Sequence, residues 1–195
     1  MERRVALVRC ADYDLARVEA AVRRSLDLLG GMGALVRPGQ RVLLQPNLLR
    51  AASPETAVTT HPAIVASVAR LVCQAGGRPI ITDSPGGPSS VALLRLIYRR
   101  TGMVWAAEAG GAELCEDVAS AQVPNPTGTD LHRLDLIRPA LDADVVINLP
   151  KLKTHGISTL SVGVKNLFGL VPGTVKLGYH AKMRDNETFC RGLVD

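Results

Sequence analysis

Three short apolar runs limit what this chain can fold into. Arg41–Gln45 (RVLLQ), Pro79–Thr82 (PIIT) and Asp144–Asn148 (DVVIN) are each four or five residues long, rich in Leu, Ile or Val, and each gives way to polar residues. Runs this short with little polar alternation read as strands buried on both faces. Parallel strands need long crossovers, usually helical, and helical patterns lie where crossovers are needed. Thr60-His61-Pro62 starts one, with Pro62 in the first turn, where its missing N–H costs nothing. Ile64, Val65, Val68, Leu71 and Val72 give it an apolar face, and Gly76-Gly77 ends it. Val91, Leu94, Ile97 and Tyr98 mark another helix after the PIIT run. This alternation predicts an α/β fold: a mainly parallel sheet flanked by helices, Rossmann-like and three-layered.

Further elements follow the same reading. Val5–Val8 is expected to be a first buried strand. Leu15, Val18, Val22, Leu26 and Leu29 then recur at helical spacing up to Gly30-Gly31. Ala112–Cys115 and Leu131–Ile137 read as extended, with a turn at Pro124-Asn125-Pro126 and a short helix before Asp142. A chain of 195 residues is most simply one domain, residues 1–195, with enough length for a real core. Aromatics are only 3%, so that core must be built from Leu, Val, Ile and Ala.

Composition excludes several classes. The start, MERRVALVRCADYD, meets acidic residues before any adequate apolar run, so it does not read as a signal peptide. No apolar segment approaches the length of a membrane span, and a cytoplasmic location is expected. Cys10, Cys73, Cys115 and Cys190 form no C-x-x-C pair, which argues against a zinc site or an iron–sulfur cluster ligated by this chain alone. They read as small buried apolar residues in a reducing compartment.

Chemistry concentrates late in the chain. From Lys151 to Arg184 there are six basic residues and no Asp or Glu, while the whole chain carries +5, so the positive charge is local. All five lysines fall in this run: Lys151, Lys153, Lys165, Lys176 and Lys182. Elsewhere the cation is Arg. A lysine ammonium is a compact point charge that can lose its proton when buried, whereas Arg is a fixed fork. Confinement of Lys to one segment points to a need for the amine itself, against the plainer reading of a solvated basic face.

Three strand ends carry polar residues: Pro46-Asn47, Asp83-Ser84, and Asn148 through His155. In an open parallel sheet such ends converge on one ligand crevice. Lys151, Lys153 and His155 are spaced by two, so an extended backbone aims them to one side. Ser84-Pro85-Gly86-Gly87 before a helix start could form an anion cradle or an ordinary turn. Lys and His together suit phosphate or carboxylate, and a lysine crowded by cations can serve as a base or form a Schiff base. His61, His155 and His180 with Asp83 could instead ligate a metal, but no H-x-H or H-x-x-x-H spacing supports it, and no metal ligand is assigned.

At these motifs the sequence resembles the family called domain of unknown function 362. The matching runs are Leu43–Asn47, Val58–Pro62, Thr82–Gly87, Val145–His155 and Val164–Gly169, together with Tyr179-His180. The resemblance implies an α/β domain often joined to, or found beside, ferredoxin-like iron–sulfur modules. It also implies a longer domain: Glu187–Asp195 reads as a helix broken off, with an unpaired apolar face at Phe189 and Leu193 and the C-terminal part of the fold missing.

The function expected is an enzyme-like domain that binds a phosphate- or carboxylate-bearing small molecule. Lys153, His155 and His180 are the expected catalytic group. Asn47, His61, Asp83, Ser84, Lys151, Lys165 and Asn166 are the expected ligand-binding residues. The family context adds iron–sulfur-linked redox metabolism and a ferredoxin-like partner. Two other readings stand beside it: a nucleic-acid-binding module using residues 151–184, and a docking subunit for an iron–sulfur protein. With only Phe168 and Tyr179 aromatic in the run, base stacking has little to use.

Overall fold

The computed structural model describes residues 4–183 and 185–195; Arg184, counted in the basic run, lies outside them. A four-stranded sheet has the order β3-β2-β1-β6, formed by Glu113–Leu114, Arg78–Ile81, Arg41–Pro46 and Val145–Leu149. Every pairing in it is parallel. Helix α1 (Leu15–Asp27) precedes β1, α2 (Pro62–Gln74) joins β1 to β2, and α3 (Val91–Arg100) with α4 (Met103–Gly110) joins β2 to β3. The chain then forms an antiparallel ribbon, β4 (Ser120–Pro124) with β5 (Arg133–Ile137), and a one-turn α5 (Arg138–Leu141), before entering β6 on the other side of β1. The fold class is α/β, with the parallel sheet flanked by helices in three-layer order, and the strand order reverses between β1 and β6.

The side-chain period of two sorts the sheet residues. Val42 and Leu44 of β1, Ile81 of β2, and Val145 and Ile147 of β6 face the large core formed with α2, α3 and α4. β1 is buried from Val42 to Pro46, as a central strand covered on both faces should be. Each fully buried Leu, Val or Ile contributes roughly 2 kcal/mol to stability.

Tyr98 locks α3 to the strand ends. Its hydroxyl lies 2.6 Å from the Cys115 carbonyl, 3.2 Å from the Ile81 carbonyl and 3.0 Å from Thr82 Oγ1. Burial pushes its pKa well up. Tyr98→Phe removes the donor and strands buried acceptors, so it should cost about 1–3 kcal/mol in denaturant unfolding with no change in m-value.

Three expectations need correction. Val5–Val8 is not a strand: Val5 and Leu7 are 92% and 96% exposed, and the segment runs beside α1 and Ile64 of α2 rather than a sheet edge. An apolar run requires a pairing partner, and its neighbours are helices. Of the cysteines only Cys115 is buried; Cys10, Cys73 and Cys190 are exposed thiols. Residues 153–182, read from sequence mainly for their charge, form a hairpin, β7 (Lys153–His155) with β8 (Thr159–Ser161), then α6 (Gly163–Leu167) and α7 (Gly173–Lys182).

Helix α8 (Asn186–Gly192) begins at Asp185, whose carboxylate accepts from Thr188 N. Its apolar face has partners, contrary to the sequence expectation. Phe189 is fully buried in a second core with Leu131, Phe168, Val171, Tyr179 and Met183, and Leu193 packs against it.

Candidate functional site

The site is built on the face of the sheet opposite the large core. Gln45 and Asn148 are register partners on β1 and β6 and alternate out of that core. Both reach Asn166 of α6. Gln45 Nε2 donates to the Asn166 carbonyl (2.7 Å), while Asn166 Nδ2 donates to Asn148 Oδ1 (2.8 Å) and to the Gln45 carbonyl (3.2 Å). Asn47 Nδ2 donates to Asn166 Oδ1 (2.9 Å). Asn148 Nδ2 binds the Gly163 carbonyl at the start of α6 (2.7 Å). Four amides thus fasten α6 across the point where strand order reverses, the place where open parallel sheets bind ligands.

Asp83, just past β2, fastens the neighbouring loop. Its Oδ2 accepts from Leu48 N (2.8 Å) and its Oδ1 from Gln45 Nε2 (3.4 Å). Ser84 N donates to the Gly169 carbonyl, Gly173 N to Ser84 Oγ, and Lys176 Nζ to the Ser84 carbonyl. Residues 84–87 are therefore stitched to the α6–α7 segment. The first turn of α3 does not share this cleft; Ser90 caps it by accepting from Leu93 N.

Between these pieces lies an open cleft of about 220 Å³. Asn47, Asp83, Ser84, His155, Lys165, Asn166 and His180 line it, with Phe168, Gly169, Gly173 and Lys176. Lys153 reaches it from behind: its Nζ donates to Asn47 Oδ1 (2.6 Å) and to the Val58 carbonyl (2.7 Å), tying β7 to the loop after β1. Lys176 is anchored on Ser84. Lys165 has no hydrogen-bond acceptor among the described residues, and its Nζ sits 4.8 Å and 5.7 Å from the ring centres of Phe168 and Phe189. Among the described residues Asp83 is the one carboxylate lining the cleft.

Burial is the first cause holding all three cleft lysines below the ordinary range. Lys165 adds to it at Lys153, and Lys176 adds to it at Lys165, while Asp83 opposes the shift at each. His155 and His180 are also held low, first by burial and then by Lys165. His155 Nδ1 accepts the N–H groups of Ile157 and Ser158 (both 3.2 Å), which leaves Nε2 to carry the proton of the neutral ring. His180 stacks on Phe189 with centroids 4.7 Å apart.

These shifts set a pH dependence. The ordinary histidine value is 6.5, and His61, His155 and His180 all lie below it when folded. Just below pH 6.5 the unfolded chain therefore binds more protons, so stability is full above that pH and falls as pH drops through the folded values. The thermal midpoint should decline between about pH 6.5 and pH 5, and less steeply in a His155→Gln/His180→Gln double variant.

Two expected ligand residues stand apart from the cleft. His61 caps α2, its Nδ1 accepting from Ala63 N, and stacks on Tyr13 at 3.8 Å. Lys151 lies beside Tyr13, 3.5 Å from its hydroxyl. The spacing-by-two argument therefore holds for Lys153 and His155 but fails for Lys151, which precedes β7. His61 is likewise separated from His155 and His180, and among the described residues no three His, Cys, Asp or Glu side chains converge as metal donors.

Gln45, Asn148, Phe168, Gly169, Gly173 and Lys176 are not among the catalytic or ligand-binding residues assigned from sequence. Lys176 and His180 are four apart, one helical turn, so a helix reading of residues 173–182 would have placed them together. Gln45 and Asn148 end apolar strands at matching positions.

The model of a family described as a domain of unknown function matches residues 42–195. A thylakoid-associated protein of Synechocystis sp., sll1697, is 40% identical over the whole of this chain, which spans 59% of that relative's length. No solved structure matches. The match begins at β1 and takes in the amide network, the Asp83 loop and the lysine segment. The chain therefore belongs to the domain of unknown function 362 family.

Proposed function

We propose that this is an enzyme-like domain that binds an anionic small molecule, bearing phosphate or carboxylate, in the cleft beyond β1, β2 and β6. One observation carries the reading: Lys165 and Lys176 line the cleft, Lys153 backs it, and a single carboxylate, Asp83, answers them, leaving an excess of positive charge in a partly desolvated crevice. Neutral His155 and His180 supply groups able to give or take a proton at its wall. Iron–sulfur-linked redox metabolism is the context, supported by the family resemblance alone, and the setting proposed is cytoplasmic. The relative's thylakoid association bears on where such chemistry is done. Among the described residues no helix is long and apolar enough to cross a membrane.

Calorimetric titration of phosphate and citrate tests the reading. Lys165→Met should weaken binding by about tenfold or more, because it removes the amine from the cleft wall without freeing a structural acceptor. Lys153→Ala should weaken binding and also loosen the Asn47–Val58 loop. Unchanged binding in Lys165→Met would remove the claim. A nucleic-acid role is less well supported, since Phe168 and Tyr179 are 8% and 4% exposed and cannot stack on bases. A docking subunit for a ferredoxin-like partner has one observation in its favour: exposed Leu152, Leu160, Val162 and Val164 around the β7–β8 hairpin. Turnover by the isolated protein, with no partner retained, would count against it.

A further inference from the structure

We propose that Lys165 binds its ligand covalently: its amine condenses with the carbonyl carbon of a small oxo acid or oxo phosphate held in the cleft, forming an imine. This rests on the anion-binding reading and narrows the ligand to one with a carbonyl close to its anionic group.

The five lysines separate by their partners. Lys153 spends two N–H groups on Asn47 and Val58, and Lys176 spends one on Ser84. Lys151 lies by Tyr13 at the periphery, and Lys182 is exposed on α7. Lys165 lines the cleft, half-buried, between the rings of Phe168 and Phe189, with no acceptor and no ion pair among the described residues. An ammonium taken from water without an acceptor is costly, and the neutral amine is both cheaper to bury and nucleophilic. The ring faces favour the cation to some degree. Burial and Lys176 act against it, and the net direction for Lys165 is downward.

The surroundings supply the other parts of a condensation. Lys176 and the 84–87 loop lie where they can hold the anionic end. The Lys165 nitrogen lone pair attacks the carbonyl carbon; as the C–N bond forms, the C=O π bond breaks and the oxygen takes up a proton that the nitrogen gives up. The resulting carbinolamine loses its hydroxyl, with the second proton from the nitrogen, as water, leaving the C=N bond. No outside oxidant or reductant is needed. His155, with its proton on Nε2, and His180 share the cleft and can pass these protons.

The experiment treats the full chain with pyruvate or with dihydroxyacetone phosphate, each with sodium borohydride to reduce any imine, and reads intact mass and peptide maps. The expected result is one adduct per chain, mapped to Lys165, with one or both probes. The two probes separate a carboxylate-bearing from a phosphate-bearing ligand. The adduct should be lost in Lys165→Arg and kept in Lys182→Arg. Mapping on the unmutated chain decides the matter even if the Lys165 variant misfolds. An adduct spread over the exposed lysines would overturn the inference. So would no adduct in a sample that binds phosphate by calorimetry, and that outcome leaves anion binding intact. No adduct and no anion binding would overturn both.

Discussion

Replacing Gly169 with alanine is expected to destabilise the domain by about 3 kcal/mol, lowering the thermal midpoint by about 6–12 °C. A Cβ at this position would collide with Asp83 Oδ1 and come within 2.6 Å of Gln45 Nε2. Neither can retreat cheaply. Asp83 also holds Leu48 N, and Gln45 is buried in β1 and bonded to Asn166. Relief requires the α6–α7 segment to move off the sheet, which opens the cleft. Phosphate binding should therefore be lost along with stability. Gly173→Ala should behave alike, because its Cβ would strike the Pro85 carbonyl and approach the Gly87 carbonyl at 2.5 Å. Gly178 provides the control. An added Cβ there meets nothing within 4 Å on the same helix, so alanine should be neutral or stabilising by up to about 1 kcal/mol. Thermal denaturation of the three variants checks the set, and a Gly169→Ala protein as stable as Gly178→Ala would show that the close packing is not real.

Asn166→Ala should cost a comparable amount, about 3 kcal/mol, for a different reason. The change strands Asn47 Nδ2, Asn148 Oδ1 and the Gln45 carbonyl at the buried junction of β1 and β6. An unpaired buried polar group costs about 1–3 kcal/mol, and water can rescue only the partly exposed ones. Asn166→Asp should be nearly as harmful, because a carboxylate cannot donate to Asn148 Oδ1 or to the Gln45 carbonyl. A double-mutant cycle with Asn148→Ala should show coupling of about 0.5–3 kcal/mol. A loss below about 1 kcal/mol for Asn166→Ala would mean that the amide network adds little to holding α6 in place.

The fold was legible where local pattern and tertiary demand agree. The runs at Arg41, Pro79 and Val145 are strands because they are too apolar to be anything but buried, and the helix from Pro62 carries both a start and a Gly stop. Val5–Val8 failed because an apolar tetrapeptide says nothing about its partner. α4, with Trp105, Glu108 and three alanines, has too little periodicity to announce a helix, yet it packs closely on α2. The lysine segment was read for its charge, and its Gly residues masked a hairpin and two short helices whose stability comes from packing rather than propensity.

The sequence alone determined the α/β class, the convergence of the strand ends after β1, β2 and β6, and the confinement of lysine to the last third of the chain. Those follow from strand length, period and residue identity, which are local. Only the tertiary structure decided which cleft lysine is left without an acceptor among the described residues, that His61 and Lys151 belong elsewhere, and that Gln45 and Asn148 bind one asparagine. Those depend on which side chains, distant in sequence, arrive at the same point, and local pattern carries no information about who else is there.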